Sequence, residues 1–174
     1  MICSIDTDLV ILGGSCSAEE HAIEAPRSFF HIHNPTDTHC LARAVVVGLE
    51  WFETVAPQAT RTPPFPDEFM RIRHDVHNVQ SQRAKILMQR SGLQQNKSLY
   101  NLADVAKIQH LLNVIANVGK YRIIVFHKEQ LYKVVYRGAD RPAKYELCLV
   151  LASGHYGFIT EPHQLFQVTH KPQQ

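Results

Sequence analysis

Apolar residues change their period several times along this chain, and each change marks an element. Asp8-Leu9-Val10-Ile11-Leu12 reads as a short strand closed by Gly13-Gly14. In Phe29–His33, Phe30 and Ile32 fall on one strand face, and Phe29, His31 and His33 on the other. The run Leu41 to Trp51 is apolar nearly throughout and predicts a buried helix from about 40 to 55, ending before Pro57. Four prolines between Ala56 and Pro66 exclude regular structure there. Over 67–89, Phe69, Ile72, Val76, Val79, Ile86 and Leu87 recur at helical spacing and predict one long amphipathic helix ended by Gly92. Ser98 or Asn101 can cap the next helix, whose apolar side runs from Leu102 to Ile115, with Gly119 beyond its end.

After Gly119 the period shortens. Tyr121–Phe126, Leu131–Tyr136 and Tyr145–Leu151 are strand-like and predict a three-stranded meander, followed by a last strand from His155 to about Thr160. These elements predict an α+β fold: a small, mostly antiparallel sheet flanked by helices. The expected division is an N-terminal arm at 1–27, one domain at 28–168 and a tail at 169–174.

Composition narrows the class. The chain has 174 residues, 45% of them hydrophobic, which is enough for one core and little more. The net charge of +2 arises from interspersed residues, so no basic stripe points to nucleic acid. No apolar run approaches the ~18 residues of a membrane span, and the opening residues lack the pattern of a secretory signal. Cys3, Cys16, Cys40 and Cys148 are scattered without a CxxC spacing, which fits a reduced, intracellular setting in cytoplasm or nucleus. His31, His33 and His39 with Cys40 invite comparison with a metal site, but structural zinc draws ligands from two separated clusters and no second one is evident. No metal or cofactor is expected, and His21, His74, His77, His110, His127, His163 and His170 read as surface residues.

The candidate chemistry lies in Asp37-Thr38-His39-Cys40-Leu41-Ala42-Arg43-Ala44. Pro35 and Thr36 discourage helix and Asp37 is a good N-cap, so Cys40 is expected at or next to the start of the buried helix. Free N–H groups and the partial positive charge of a helix start favour a thiolate and can also receive an oxyanion. A lone cysteine is more often core than catalyst. Here, however, His155 stands at a strand start 115 positions later. A helix-borne thiol and a sheet-borne imidazole follow the general logic of papain-like thiol hydrolases, in which the imidazole takes the thiol proton and returns it to the leaving amine.

Asp37-x-x-Cys40-Leu41-x-Arg43-Ala44 resembles the Asp-Gly-Asn-Cys-Leu-Phe-Arg-Ala block of the ovarian-tumour (OTU) family of cysteine proteases, and Gly154-His155-Tyr156 resembles that family's C-terminal His-Tyr motif. The passage from Leu102-Ala103 into Tyr121–Phe126 is similar to its helix-to-strand segment. The resemblance spans roughly residues 28 to 160 and is closest to OTU-like segments of viral and Maverick-type mobile-element proteins. It implies a papain-like, OTU-like fold and a deubiquitinase that hydrolyses the (iso)peptide bond after the C-terminal glycine of ubiquitin or a ubiquitin-like modifier. It implies Cys40 as nucleophile, His155 as general base and then acid, and Asp37 as the residue shaping an oxyanion loop of Asp37, Thr38, His39 and Cys40. Arg43 is expected to anchor the helix through charge-assisted hydrogen bonds, and Tyr156 to pack.

The chain departs from the family pattern at three places. Gly157 stands where an acid or Asn usually orients the imidazole, leaving Asp6, Asp8 or Asn34 as candidates. Thr38 and His39 replace Gly and Asn. Ala42 replaces an aromatic, a gap that Trp51 or Phe52 is expected to fill. A module that binds ubiquitin or another partner with weak or no turnover, and a protease processing its own polyprotein, are the alternatives.

Overall fold

The structure, a computed structural model, describes residues 29–34, 37–58, 61, 63–138 and 142–167. The expected strand at 8–12, the arm and the tail beyond 167 lie outside these residues. Five helices and five strands follow in the order β1 (Phe29–Phe30), α1 (Cys40–Glu50), α2 (Asp67–Arg73), α3 (Val79–Ser91), α4 (Leu102–Ile115), β2 (Tyr121–His127), β3 (Lys133–Arg137), β4 (Tyr145–Ala152), β5 (His155–Ile159) and α5 (His163–Gln167). The class is α+β, with a mixed, mostly antiparallel sheet packed against helices.

The sheet order is β1-β5-β4-β2-β3, with β2 and β4 parallel and every other pair antiparallel. The expected meander is therefore incorrect: β3 folds back on one edge of β2, and β4 takes the other edge. The cause is burial. β2 and β4 are apolar on both faces, Ile123, Val125, Leu147 and Leu149 toward the helices and Ile124, Phe126, Cys148 and Val150 toward the opposite side. Two such strands belong in the middle of a sheet. The half-exposed β3 can only be an edge. Leu165 of α5 joins the outer cluster, so the segment after Pro162 is packed as far as that residue.

Helix α1 lies at the centre of the helical layer. It touches α2 and α3 on one side and β4 and β5 on the other, and every residue except Leu49 is buried. A π-helical turn, Trp51–Val55, extends it to the predicted end. Trp51 packs with Phe30 and Phe158 of the sheet and with Phe69 of α2 and Phe65 just before it, and Phe52 packs with Tyr145 and Phe158.

The single long helix expected over 67–89 is two helices. Asp75, His77 and Asn78 take left-handed angles (φ 52°, 55° and 59°), which interrupt it. Asp75 Oδ1 accepts the Ser81 N–H at 2.9 Å, capping α3 from outside the helix, while its other oxygen receives the Ser81 hydroxyl and, at 2.8 Å, Arg43 Nη1. A long-range partner on α1 thus overrides a local period. Val76 and Ile86, counted on the apolar stripe, are exposed. Gly92, at φ 70°, ends α3 as expected, and Asn101 caps α4 in a reciprocal box with Asp104. His127, expected at the surface, is buried, its Nδ1 3.4 Å from Glu129 Oε2.

Candidate active site

Cys40 is the first residue of α1, as its flanking sequence predicts, but Asp37 is not the N-cap. His39 holds that position, and no side chain caps the helix. Asp37 turns back instead: its Oδ1 accepts the His39 N–H at 2.9 Å, and Arg43 reaches it through Nε at 3.2 Å and Nη2 at 2.5 Å. Burial disfavours the Asp37 charge, yet the Arg43 hydrogen bond, the His39 N–H and the Arg43 charge together bring its pKa below the ordinary value. Arg43 is itself buried, and its Nη1 also binds Gln80 Oε1 at 2.9 Å and its Nη2 the Ser81 hydroxyl at 2.7 Å. It is an anchor between the cysteine loop and α3.

This arrangement limits the expected oxyanion loop. The His39 N–H is spent on Asp37 and cannot also meet an oxyanion. Cys40 opens the first turn of a helix that no side chain caps. The side chains of Thr38 and His39 turn to the chain before α4. The Thr38 hydroxyl donates to the Lys97 carbonyl at 2.8 Å, and His39 Nε2 bonds the Gln95 carbonyl at 3.1 Å. With the Ser81, Gln82 and Lys85 face of α3 they border a polar cavity of about 810 Å³.

His155 begins β5, the strand on which α1 packs. Its neighbour Tyr156 is fully buried, with the hydroxyl donating to the Tyr100 carbonyl at 3.1 Å. Burial raises the Tyr156 phenol pKa, and the Cys40 charge acts in the same direction. Cys148, on the outer face of β4, is a different case: burial and then Glu146 push its thiol up to about 12, which leaves it inert at neutral pH.

No acidic side chain orients His155 among the described residues. Its Nε2 lies 2.8 Å from the Ile32 carbonyl oxygen. A carbonyl only accepts, so Nε2 carries the hydrogen and Nδ1 the lone pair of a base. Burial lowers the His155 pKa, the Ile32 hydrogen bond raises it in part, and the charge of His31 lowers it again; the result is below the ordinary value. Asn34, one of three candidate orienting residues, is committed elsewhere, its Nδ2 donating to the Asp37 carbonyl at 2.8 Å. Asp6 and Asp8 lie outside the described residues.

The position of the missing acid is filled. A β-carbon at Gly157 would stand 2.6 Å from Phe29 Cζ and 3.2 Å from the Phe30 carbonyl oxygen. Phe29 pairs with Ile159 across β1 and β5, which directs its ring over Gly157. The turn before His155 is held from both sides. Ser153, at φ 49°, gives its N–H to Glu129 Oε1 at 2.7 Å, and Gly154, at φ 78°, lies against Leu99.

Sequence reasoning singled out Cys40, His155, Asp37 and Arg43 as candidates and did not point to the Ile32 carbonyl, Phe29 or the Gln95–Lys97 contacts. A main-chain acceptor has no residue type to betray it. His31 and His39, weighed together as metal ligands, go separate ways, His31 to the His155 ring and His39 to Gln95. No three His, Cys, Asp or Glu side chains among the described residues converge as a metal site. No helix there is long and apolar enough to cross a membrane. No protein-family model, curated protein or solved structure matches this chain.

Proposed function

We propose that the protein is a cysteine-type (iso)peptidase of OTU-like character, acting after the C-terminal glycine of ubiquitin or a ubiquitin-like modifier. The observation that carries this reading is the His155 Nε2 to Ile32 carbonyl bond, which fixes the imidazole in the tautomer of a base on the strand packed against the cysteine helix. Cys40 gives its proton to His155 Nδ1, and its sulfur attacks the carbonyl carbon after the glycine. The oxyanion develops at the start of α1, where the partial positive charge of the helix terminus favours it. The proton on Nδ1 then goes to the departing amine as the C–N bond breaks, leaving a thioester. Water, deprotonated by the same imidazole, releases the carboxylate and restores the thiol. No cofactor enters.

The substrate class in this reading comes from the sequence motif. The test is a ubiquitin probe with a C-terminal electrophile. The wild-type chain forms a covalent adduct, and Cys40→Ala and His155→Ala do not. Absence of labelling with ubiquitin and with the common ubiquitin-like modifiers rejects the reading.

Gly157 and the neutral orienting carbonyl favour a second reading, a ubiquitin- or partner-binding module with weak or no turnover. Tight ubiquitin binding without hydrolysis, unchanged by Cys40→Ser, distinguishes it.

A further inference from the structure

His31 is exposed on the segment that leaves β1, and its ring centroid is 5.4 Å from that of His155, the planes 34° apart. Phe29 also meets it, edge to face, at 5.6 Å. The ring that plugs the acid's position therefore also supports a second imidazole beside the first. A single hydrogen bond to a carbonyl fixes where Nε2 points but leaves the plane of the ring loosely set, because carbonyl oxygens accept over a broad range of directions. A neighbour across the ring face supplies that missing constraint.

We propose that His31 is the positioning residue for His155: its ring holds the plane of the imidazole, and positive charge placed there opposes a second proton on its partner. The inference rests on the reading of His155 as the general base.

Other titratable groups lie on the neighbouring elements. Cys40 and Arg43 come from α1, and Arg43 is paired with Asp37 and Asp75. Lys97, on the loop before α4, is paired with Asp104; Tyr100 follows it, and Tyr156 follows His155 on β5. Glu129, beyond β2, binds Ser153 and approaches His127, and His33 and Asp37 lie on the segment after His31. The charge that acts on His155 is that of His31.

Two substitutions of opposite sign test this. In the full chain carrying Cys40→Ala, so that the imidazole titrates without the thiol, the His155 ring is followed by NMR against pH. His31→Phe keeps a ring and removes the charge; its midpoint moves upward by about half a pH unit, the order expected for charges this close beside water. His31→Lys keeps a permanent charge, and its midpoint lies below that of the parent. A purely structural role predicts no such opposite movement. Equal midpoints in the three proteins, or a midpoint raised by His31→Lys, overturn the proposal. Because this readout needs no turnover, midpoints in the stated order in a chain that fails to label with ubiquitin would uphold the imidazole pair and reject only the hydrolase reading.

Discussion

The imidazole of His155 is held by the main chain of Ile32, Nε2 to carbonyl oxygen at 2.8 Å. A side-chain acid in this position would stabilise imidazolium by its charge. A neutral carbonyl orients the ring and stabilises the cation less. Burial, the largest influence on His155, and the nearby His31 together outweigh what the carbonyl supplies.

The acid limb of activity follows from that balance. With the His155 pKa below its ordinary 6.5, kcat/KM toward a ubiquitin C-terminal amide reporter falls on the acid side through a midpoint below 6.5. The linkage has the same direction. A histidine whose pKa is lowered by folding takes up protons on unfolding, so its contribution to stability is present above 6.5 and is lost as pH falls toward the folded pKa. A pH–rate profile with an acid midpoint above about 7 contradicts the assignment of His155 as an imidazole weakened by burial.

Restoring a polar orienting group at Gly157 is blocked by Phe29, whose Cζ would lie 2.6 Å from the new β-carbon. Gly157→Asn is expected to lower the denaturant midpoint, by roughly 1–3 kcal/mol in stability, and not to raise activity. Phe29→Ala also costs stability, through lost packing, but removes the obstruction. In the double variant the two costs fall short of their sum by more than about 0.5 kcal/mol. Urea unfolding of the four proteins measures the coupling, and strict additivity contradicts the contact.

Arg43 bonds Asp37, Asp75, Gln80 and Ser81 from a buried position on α1. Arg43→Ala leaves two sheltered carboxylates without their cation, a loss of about 3–5 kcal/mol. Both carboxylates have pKa values below the ordinary 3.8, where burial is outweighed by Arg43 together with the His39 N–H at Asp37 and Ser81 at Asp75. Their stabilising contribution is present above 3.8 and disappears as acid protonates them. The gap between wild type and Arg43→Ala is therefore widest near neutrality and narrows in acid. Urea midpoints at several pH values check both statements, and a gap independent of pH rejects the anchor.

What could be read from the chain depended on whether a signal was local. The start of α1 at Cys40, the stop at Gly92 and the Asn101 cap were legible because each is written within a few residues. The parallel pairing of β2 with β4 was not, since a strand buried on both faces has the same composition beside either neighbour. The break at Asp75 depends on Arg43, 32 positions earlier, and no period within 67–89 records that partner. In the candidate site, Cys40 and His155 were singled out because each stands in a short motif with its immediate neighbours. The Ile32 carbonyl was invisible because every residue has one.

Gly48 sets how closely the cysteine helix approaches the strand that carries His155. A β-carbon there would lie 2.4 Å from Leu147 Cδ2 and 2.9 Å from the Phe158 ring, and both side chains are fully buried with no space to retreat into. Elsewhere in a helix, Gly to Ala gains about 1 kcal/mol from propensity. At this site the overlap costs about 1–3 kcal/mol and prevails. Gly48→Ala therefore lowers the thermal midpoint, and Gly48→Val lowers it further. The effect on chemistry separates packing from simple unfolding, because pushing α1 off β4 and β5 moves Cys40 relative to His155. At a temperature where Gly48→Ala is still folded by circular dichroism, its rate of labelling by the ubiquitin electrophile falls by more than tenfold, as expected when reacting groups are displaced by about 1 Å. Labelling at the wild-type rate in that folded variant would show that the spacing of helix and strand does not govern the reaction.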